Sequence, residues 1–120
     1  MIGESKVKIL DMNIPLPDSI ASFFEVSNGA EASALEQCFT ENAVVQDESL
    51  THQGHDAIRA WLREARRKYA HTVEPLDVVQ RDSTVNVRAK VSGNFPGSPV
   101  ELNHLFRLTG GRIEFLEIGR

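Results

Sequence analysis

The amino-acid sequence predicts one small α+β domain in which helices cover one face of a curved, mostly antiparallel sheet. Helical periodicity marks the first half of the chain, the period changes to two after His71, and turn residues separate the later strands. At 120 residues, 41% of them hydrophobic, the chain is long enough for one packed core. Early helices and late antiparallel strands are typical of this class, and a curved sheet packed on helices leaves a hollow suited to a ligand.

Three helices are predicted in the N-terminal half. The first begins at Asp18 or Ser19, either of which is able to cap it, and ends before Gly29. The second covers about 31–39, and the third, which is the clearest, covers 55–70. Apolar residues recur at helical spacing along one face of the third helix, namely Ile58, Trp61, Leu62, Ala65 and Tyr69.

The strands are predicted from alternating apolar and polar residues. A short strand over 43–46 leads to Asp47, and the polar segment 48–53 is either a loop or a weak hairpin. A four-strand meander follows, over 72–81, 85–91, 100–108 and 112–118. Residues 1–17 are either a leader or an added edge strand through 9–14, and we expect the domain itself to occupy residues 18–120.

Composition restricts the function classes. The formal net charge of −4 disfavours nucleic acid as a partner, because phosphate binding needs a basic surface. No apolar run approaches the roughly 20 residues that span a bilayer, so we expect no membrane partner. The one cysteine, Cys38, cannot form an intrachain disulfide, and we therefore expect a reducing, cytoplasmic setting.

No cofactor and no metal ion are expected. His52 and His55 are spaced like a ligand pair, but they flank Gly54 and no second pair accompanies them. No glycine-rich phosphate loop occurs in the chain. A run of basic residues on the third helix is expected to form a solvated face, and it comprises Arg63, Arg66, Arg67 and Lys68.

Three segments carry a family resemblance. Residues 39–47 (FTENAVVQD), 54–61 (GHDAIRAW) and 106–113 (FRLTGGRI) resemble, in order and spacing, the nuclear transport factor 2-like superfamily. The similarity covers about 18–120 and is strongest to its SnoaL-like and ketosteroid isomerase-related branch. It implies a cone-shaped α+β barrel, a sheet wrapped on three helices around a pocket, and commonly a homodimer through the outer sheet face.

Two polar residues are the candidate catalytic groups. Strand alternation places Asp47 on the side of Ala43 and Val45, and it places His104 on the side of Leu102 and Phe106. The resemblance implies that Asp47 is a general base, whose pKa a dry pocket would raise. It implies that His104 stands where an oxyanion donor belongs. From the residues alone, a solvated carboxylate and a structural core histidine remain alternatives.

One position departs from the ketosteroid isomerases. Where their first helix carries a catalytic tyrosine, this chain has Phe23, which has no hydroxyl to donate. Removal of one oxyanion donor costs on the order of 10²–10³ in rate, so steroid isomerisation itself is not expected. Six residues are expected to line the pocket or, alternatively, to lie in the core, namely Phe23, Phe24, Trp61, Tyr69, Phe106 and Glu117.

Three functions fit these residues. The first is an isomerase, cyclase or dehydratase acting next to a carbonyl, with Asp47 as base and His104 as donor. The second is a non-catalytic carrier of a small hydrophobic or carbonyl-bearing ligand. The third is a dimeric assembly module that uses the outer sheet face, formed by Asn86, Arg88, Lys90, Glu101, Asn103 and Arg107.

Overall fold

A computed structural model of the chain describes residues 7–9, 15–30 and 32–120. The elements in chain order are β1 (Val7–Ile9), β2 (Pro15–Pro17), α1 (Asp18–Ser27), α2 (Leu35–Cys38), β3 (Phe39–Asp47), β4 (Leu50–Gln53), α3 (His55–Tyr69), β5 (Thr72–Arg81), β6 (Thr84–Ser92), β7 (Val100–Thr109) and β8 (Arg112–Gly119). A 3-10 turn over Ala32–Ala34 leads into α2. The predicted α+β class is therefore confirmed.

One curved sheet of six strands carries the fold, in the order β4-β3-β8-β7-β6-β5. Only β3 and β8 pair in parallel, while the other neighbours are antiparallel. The edge strands β4 and β5 do not pair with each other, so the cone stays open. Strands β1 and β2 form a separate antiparallel pair before α1. Of the predicted edge strand over 9–14, only Ile9 lies within the described residues.

Irregular pairing bends the sheet at three places. The register shifts between Phe39 and Val44 in β3, between Pro75 and Asp77 in β5, and in β8 opposite Arg107 and Leu108. An extra residue on one strand of a pair increases local twist and bends that strand. The bends curl the sheet around α1 and α3, which produces the hollow that the sequence predicted.

The irregularity in β8 corrects one predicted pocket residue. Arg107 pairs with Phe115 and Leu108 pairs with Ile113, so Glu114 is the extra residue. Beyond it the facing of β8 reverses, which turns Leu116 inward and leaves Glu117 exposed on the outer face. The prediction that Glu117 lines the pocket is therefore wrong, because simple alternation from Ile113 does not survive a bulge.

The core lies between the inward face of α1 and the concave face of the sheet. Ile20, Phe23 and Phe24 on α1 are buried, and so are the alternating residues Val85 and Val87 of β6. Full burial of one such side chain contributes about 1.5–3 kcal/mol of transfer free energy. The helical and strand periodicities predicted from the sequence therefore meet in one core.

Two helix predictions need correction. Helix α1 begins at Asp18 after Pro17, and no side chain caps it by a hydrogen bond. Helix α2 has four residues, because Phe39 has extended backbone angles and pairs with Ile113 as the first residue of β3. Pairing with a distant strand overrides local helix propensity at this junction. The segment after Asp47 is the predicted weak hairpin, since β4 pairs back on β3.

A close backbone approach joins the end of α3 to the turn after β6. Ala70 closes α3 in the left-handed conformation, and the N–H of Asn94 donates to the Tyr69 carbonyl over 2.7 Å. A Cβ atom at Gly93 would lie 2.7 Å from the Tyr69 carbonyl oxygen and 3.1 Å from the His71 Cα. Both neighbours are backbone atoms, so only glycine fits between them.

We expect Gly93→Ala to lower the free energy of unfolding by about 1–3 kcal/mol, the usual cost of overpacking. Urea denaturation followed by far-UV circular dichroism measures the change. Gly119→Ala is the matched control, because a Cβ at Gly119 meets nothing within 4 Å. Equal stability of the two variants would contradict the close approach.

Candidate functional site

A pocket of about 350 Å³ lies between the concave sheet, the end of α1, the inner face of α3 and the turn that follows β6. Its wall is mostly apolar, with a few convergent polar groups, as in most small-molecule sites. The polar and titratable side chains that line it are those of Ser27, Asp47, Glu48, Tyr69, His71, His104 and Arg120.

Asp47 ends β3 and lines this pocket. The indole Nε1 of Trp61 donates a hydrogen bond to its Oδ2 over 3.0 Å. Burial raises the pKa of the Asp47 carboxyl, and the hydrogen bond from Trp61 offsets only part of that rise. Trp61 on α3 was not predicted to hold Asp47, because the two residues meet only in the folded chain.

The turn after Asp47 has an unusual backbone. Glu48 and Ser49 both have positive φ angles, 53° and 66°, between the paired residues Asp47 and Leu50. Two-residue hairpin turns of this kind usually contain asparagine, aspartate or glycine. Non-glycine residues in this region cost of order 1–3 kcal/mol each and are frequent at functional sites. The strained turn therefore points to Asp47 as a candidate functional residue.

His104 is the second candidate, and it is 3% exposed. Its ring contacts those of Phe24 and Phe106, with centroids 5.4 Å and 6.3 Å away. Its Nδ1 has no hydrogen-bond partner in the part of the chain that the structure describes. Burial lowers the pKa of His104 to about 4, against a smaller raising effect of the Leu102 backbone. The imidazole is therefore neutral at physiological pH.

The predicted aromatic wall divides into pocket and core. Phe23, Trp61 and Tyr69 line the pocket, and the rings of Phe23 and Trp61 stack at 6.3 Å. Phe24 and Phe106 are instead fully buried behind His104, in the core rather than in the pocket wall. The spacing of Phe24 on α1 and of Phe106 on β7 predicts that both are buried. It does not predict whether a buried residue lines the pocket or lies in the core.

Tyr69 lies at the rim of the pocket. Its hydroxyl donates to Glu48 Oε2 over 3.5 Å, and its ring meets that of Phe95 edge to face. It carries the one phenolic hydroxyl of the chain. The pocket therefore contains a phenolic hydroxyl, although Phe23 stands at the position of the missing tyrosine.

Sequence reasoning missed a second polar group at this pocket. Ser27 Oγ and His71 Nε2 form a hydrogen bond of 3.0 Å, and Arg66 Nη1 donates to the carbonyl oxygens of both residues. Arg66 thus turns inward rather than joining the predicted solvated face. Helical spacing contained the signal, because Ser27 follows Phe23 by four residues and Arg66 follows Leu62 by four.

Other features of the described residues point elsewhere. They contain no group of three histidine, cysteine, aspartate or glutamate side chains placed to hold a metal ion. None of their helices combines the length and apolarity that crossing a membrane requires. A smaller hollow of about 280 Å³ lies beside Arg59, Arg63 and Arg66, away from Asp47 and His104. The larger pocket is therefore the candidate site.

The chain is similar to known proteins across most of its length. The sequence profile of the SnoaL-like domain family matches residues 20–115. No curated protein matches the chain. Among solved structures, a proposed polyketide cyclase from Sinorhizobium meliloti is 42% identical, with a TM-score of 0.83 over 86% of this chain and 94% of that one.

More distant structures share the fold. A protein with a ketosteroid isomerase-like fold from Catenulispora acidiphila, solved with trimethylamine, is 18% identical, with a TM-score of 0.75 over 87% of this chain and 85% of that one. SalBIII, an epoxide hydrolase/cyclase-like enzyme of pyran ring formation in the polyether salinomycin, is 21% identical, with a TM-score of 0.71 over 85% and 87%. The profile match and the first structure confirm the predicted resemblance: the chain belongs to the SnoaL-like domain family.

Proposed function

We propose that the chain is a small-molecule enzyme of the cyclase, isomerase or dehydratase type that moves a proton next to a carbonyl. The supporting observation is the Asp47 carboxyl, which lines a mostly apolar pocket and is oriented there by Trp61 Nε1. A base is most effective when its pKa lies near the working pH, and burial moves the pKa of Asp47 in that direction.

In the proposed step, Asp47 removes a proton from the carbon next to a substrate carbonyl. The electron pair of the broken C–H bond moves to the carbonyl oxygen, which becomes an enolate. His104 is a neutral imidazole, since burial holds its pKa near 4, and it donates its single N–H to that oxygen. The proton on Asp47 is then returned in one of three ways. It goes to the oxygen of a second carbonyl that the enolate attacks (cyclisation), to a hydroxyl group that leaves as water (dehydration), or to another carbon (isomerisation).

The relatives support a cyclase within this group. The S. meliloti protein is proposed to be a polyketide cyclase, and it is 42% identical to this chain. Ring closure by an enolate needs one base and one oxyanion donor, which Asp47 and His104 supply. It does not need the phenol that Phe23 lacks. A flat, carbonyl-bearing substrate also suits a mostly apolar pocket that Phe23 and Trp61 help to line.

We expect Asp47→Asn to abolish proton abstraction while the fold survives. The asparagine oxygen is still able to accept the Trp61 hydrogen bond, but it is not a base. Flat cyclic ketones are incubated with the protein in deuterium oxide, and loss of the α-proton signal is followed by NMR. We expect the variant to exchange at least about 100-fold more slowly than wild type. Binding without exchange in wild type would instead indicate a carrier.

We expect acid to destabilise wild type more than His104→Phe, which keeps a ring against Phe24 and Phe106. An unfolded histidine takes up a proton near pH 6.5, whereas His104 in the fold resists until about pH 4. This contribution to stability is complete above pH 6.5 and is lost as the pH falls through 4, by about 3 kcal/mol in all. Urea unfolding at pH 7 and pH 4 measures the free energy of unfolding that each protein loses in acid. Equal losses would show that the fold does not lower the pKa of His104.

We further propose that the outer face of the sheet forms a homodimer interface. Its charges already pair within the chain, since Arg88 binds Asp77 and Glu101, and Lys90 lies 3.5 Å from Glu74. Paired charges are less costly to cover than isolated ones. The edge residue Val79 is 59% exposed on the same face, where it pairs with Asn86.

We expect sedimentation velocity at micromolar concentration to give a dimer for wild type, and a shift towards monomer for Val79→Lys. The added lysine would place an unpaired charge at the proposed interface. Leu50→Lys is the matched control, because Leu50 is 61% exposed but lies on the opposite face, beside Asp47. A wild-type monomer would rule out this interface.

A further inference from the structure

Ser27 and His71 form a second polar pair in the pocket that the Asp47 chemistry does not use. Their Oγ and Nε2 atoms lie 3.0 Å apart, and the two residues are only 4% and 7% exposed. Both contribute to the pocket wall. Burial of a polar pair costs desolvation that an apolar wall would avoid, so its presence in a mostly apolar pocket indicates a function.

Several contacts hold this pair in place. Arg66 Nη1 donates to the carbonyl oxygen of Ser27 over 2.5 Å and to that of His71 over 3.3 Å. The side chain of Asn28 bonds both backbone groups of Val73, over 2.7 Å and 2.9 Å. The end of α1, the end of α3 and the start of β5 are thereby joined around Ser27 and His71. Such positioning is typical of a site that must meet a ligand in one geometry.

The pair has hydrogen-bonding capacity left over. A serine hydroxyl has one donor and two acceptor positions, and His71 occupies one of the three. Burial lowers the pKa of His71, and the nearby Arg66 cation lowers it further, so the neutral imidazole is favoured. A neutral hydroxyl beside a neutral imidazole suits an uncharged oxygen, such as a hydroxyl or a carbonyl, better than a charged group.

A nucleophilic role fits the pair less well. Serine nucleophiles depend on a histidine that a third group, commonly a carboxylate, orients. In the described part of the chain no carboxylate hydrogen-bonds His71, and the charged neighbour that acts on its pKa is the cation Arg66. The pair is therefore better suited to binding than to covalent attack.

The geometry of α1 separates this pair from Asp47. Phe23 stacks on Trp61, and Trp61 holds the Asp47 carboxyl. Ser27 follows Phe23 by four residues on the same helix face, which corresponds to about 6 Å along the helix axis. The ring of Phe23 and the side chain of Val73 line the wall beside these polar groups. The Asp47 carboxyl and the pair of Ser27 and His71 are thus two separate polar positions, with apolar wall between them. His104 is near enough to His71 for the two rings to interact electrostatically.

We propose that Ser27 and His71 form a subsite for a second oxygen of the substrate, so that the pocket selects flat apolar molecules with an oxygen function at each end. This assignment rests on the proposed function for the first oxygen, which His104 would bind while Asp47 acts beside it. Ser27 and His71 are binding residues in this scheme, because they bond the substrate away from the carbon that reacts.

Two ligands of matched size test the subsite by isothermal titration calorimetry. They are 2,6-dihydroxynaphthalene and 6-methyl-2-naphthol, which differ by a hydroxyl in place of a methyl group. The diol is able to bind in two equivalent orientations, which alone favours it about 2-fold. In wild type we expect the diol to bind roughly 4- to 20-fold more tightly, which is this factor multiplied by the range for one net hydrogen bond. In Ser27→Ala we expect the ratio to fall to about 2, and in Ser27→Cys, whose thiol is a weak donor, to fall nearly as far.

The ratio of the two affinities distinguishes the loss of a binding contact from damage to the fold, because a damaged fold weakens the binding of both ligands alike. Ser22→Ala on the same helix is the control, since Ser22 does not line the pocket, and it should keep the wild-type ratio. An unchanged ratio in Ser27→Ala, a wild type whose preference for the diol does not exceed the orientation factor, or no binding of either ligand would overturn the subsite. Asp47→Asn should keep the ratio while it stops deuterium exchange. If wild type shows the ratio but no exchange, the proposed chemistry fails and the subsite stands.

Discussion

The ring of Phe23 is the contact on which most of the structure depends. It meets the rings of Phe24, Phe39, Trp61 and Phe106, which belong to α1, β3, α3 and β7. Three of these contacts are edge to face and one is stacked, both of which are favourable arrangements of aromatic rings. One side chain therefore connects both long helices to both halves of the sheet. It also forms pocket wall, which couples the stability of the core to the shape of the site.

Burial disfavours the charged form of three ionisable groups in the pocket. Burial raises the pKa of Asp47 and lowers those of His71 and His104, so each group is shifted towards its uncharged form. Such a cavity disfavours charged ligands and favours molecules whose oxygens are hydroxyls or carbonyls. The ion pairs of Arg88 with Asp77 and Glu101 lie on the outer sheet face, away from the pocket, and affect it little.

Much of the architecture could be predicted from periodicity alone. The period of two over 85–91 predicts β6 and its dry face, and the helical spacing from Ile58 to Tyr69 predicts α3. Alternation also places Asp47 on the inward side of β3. The failures lie where a local pattern meets a distant partner. Phe39 leaves the predicted second helix to pair with Ile113, and the bulge at Glu114 turns Glu117 outward.

The sequence by itself determined the α+β class, the family, the order of the elements and the inward direction of Asp47 and His104, because these depend on local periodicity and on short segments. Only the tertiary structure decided which of the inward residues reach the pocket. Trp61 meets Asp47 across 14 positions and His71 meets Ser27 across 44, and no local pattern encodes such distances. Sheet curvature also decides which inward residues reach the pocket, because the bulges determine where the sheet lines the cavity and where it packs into the core.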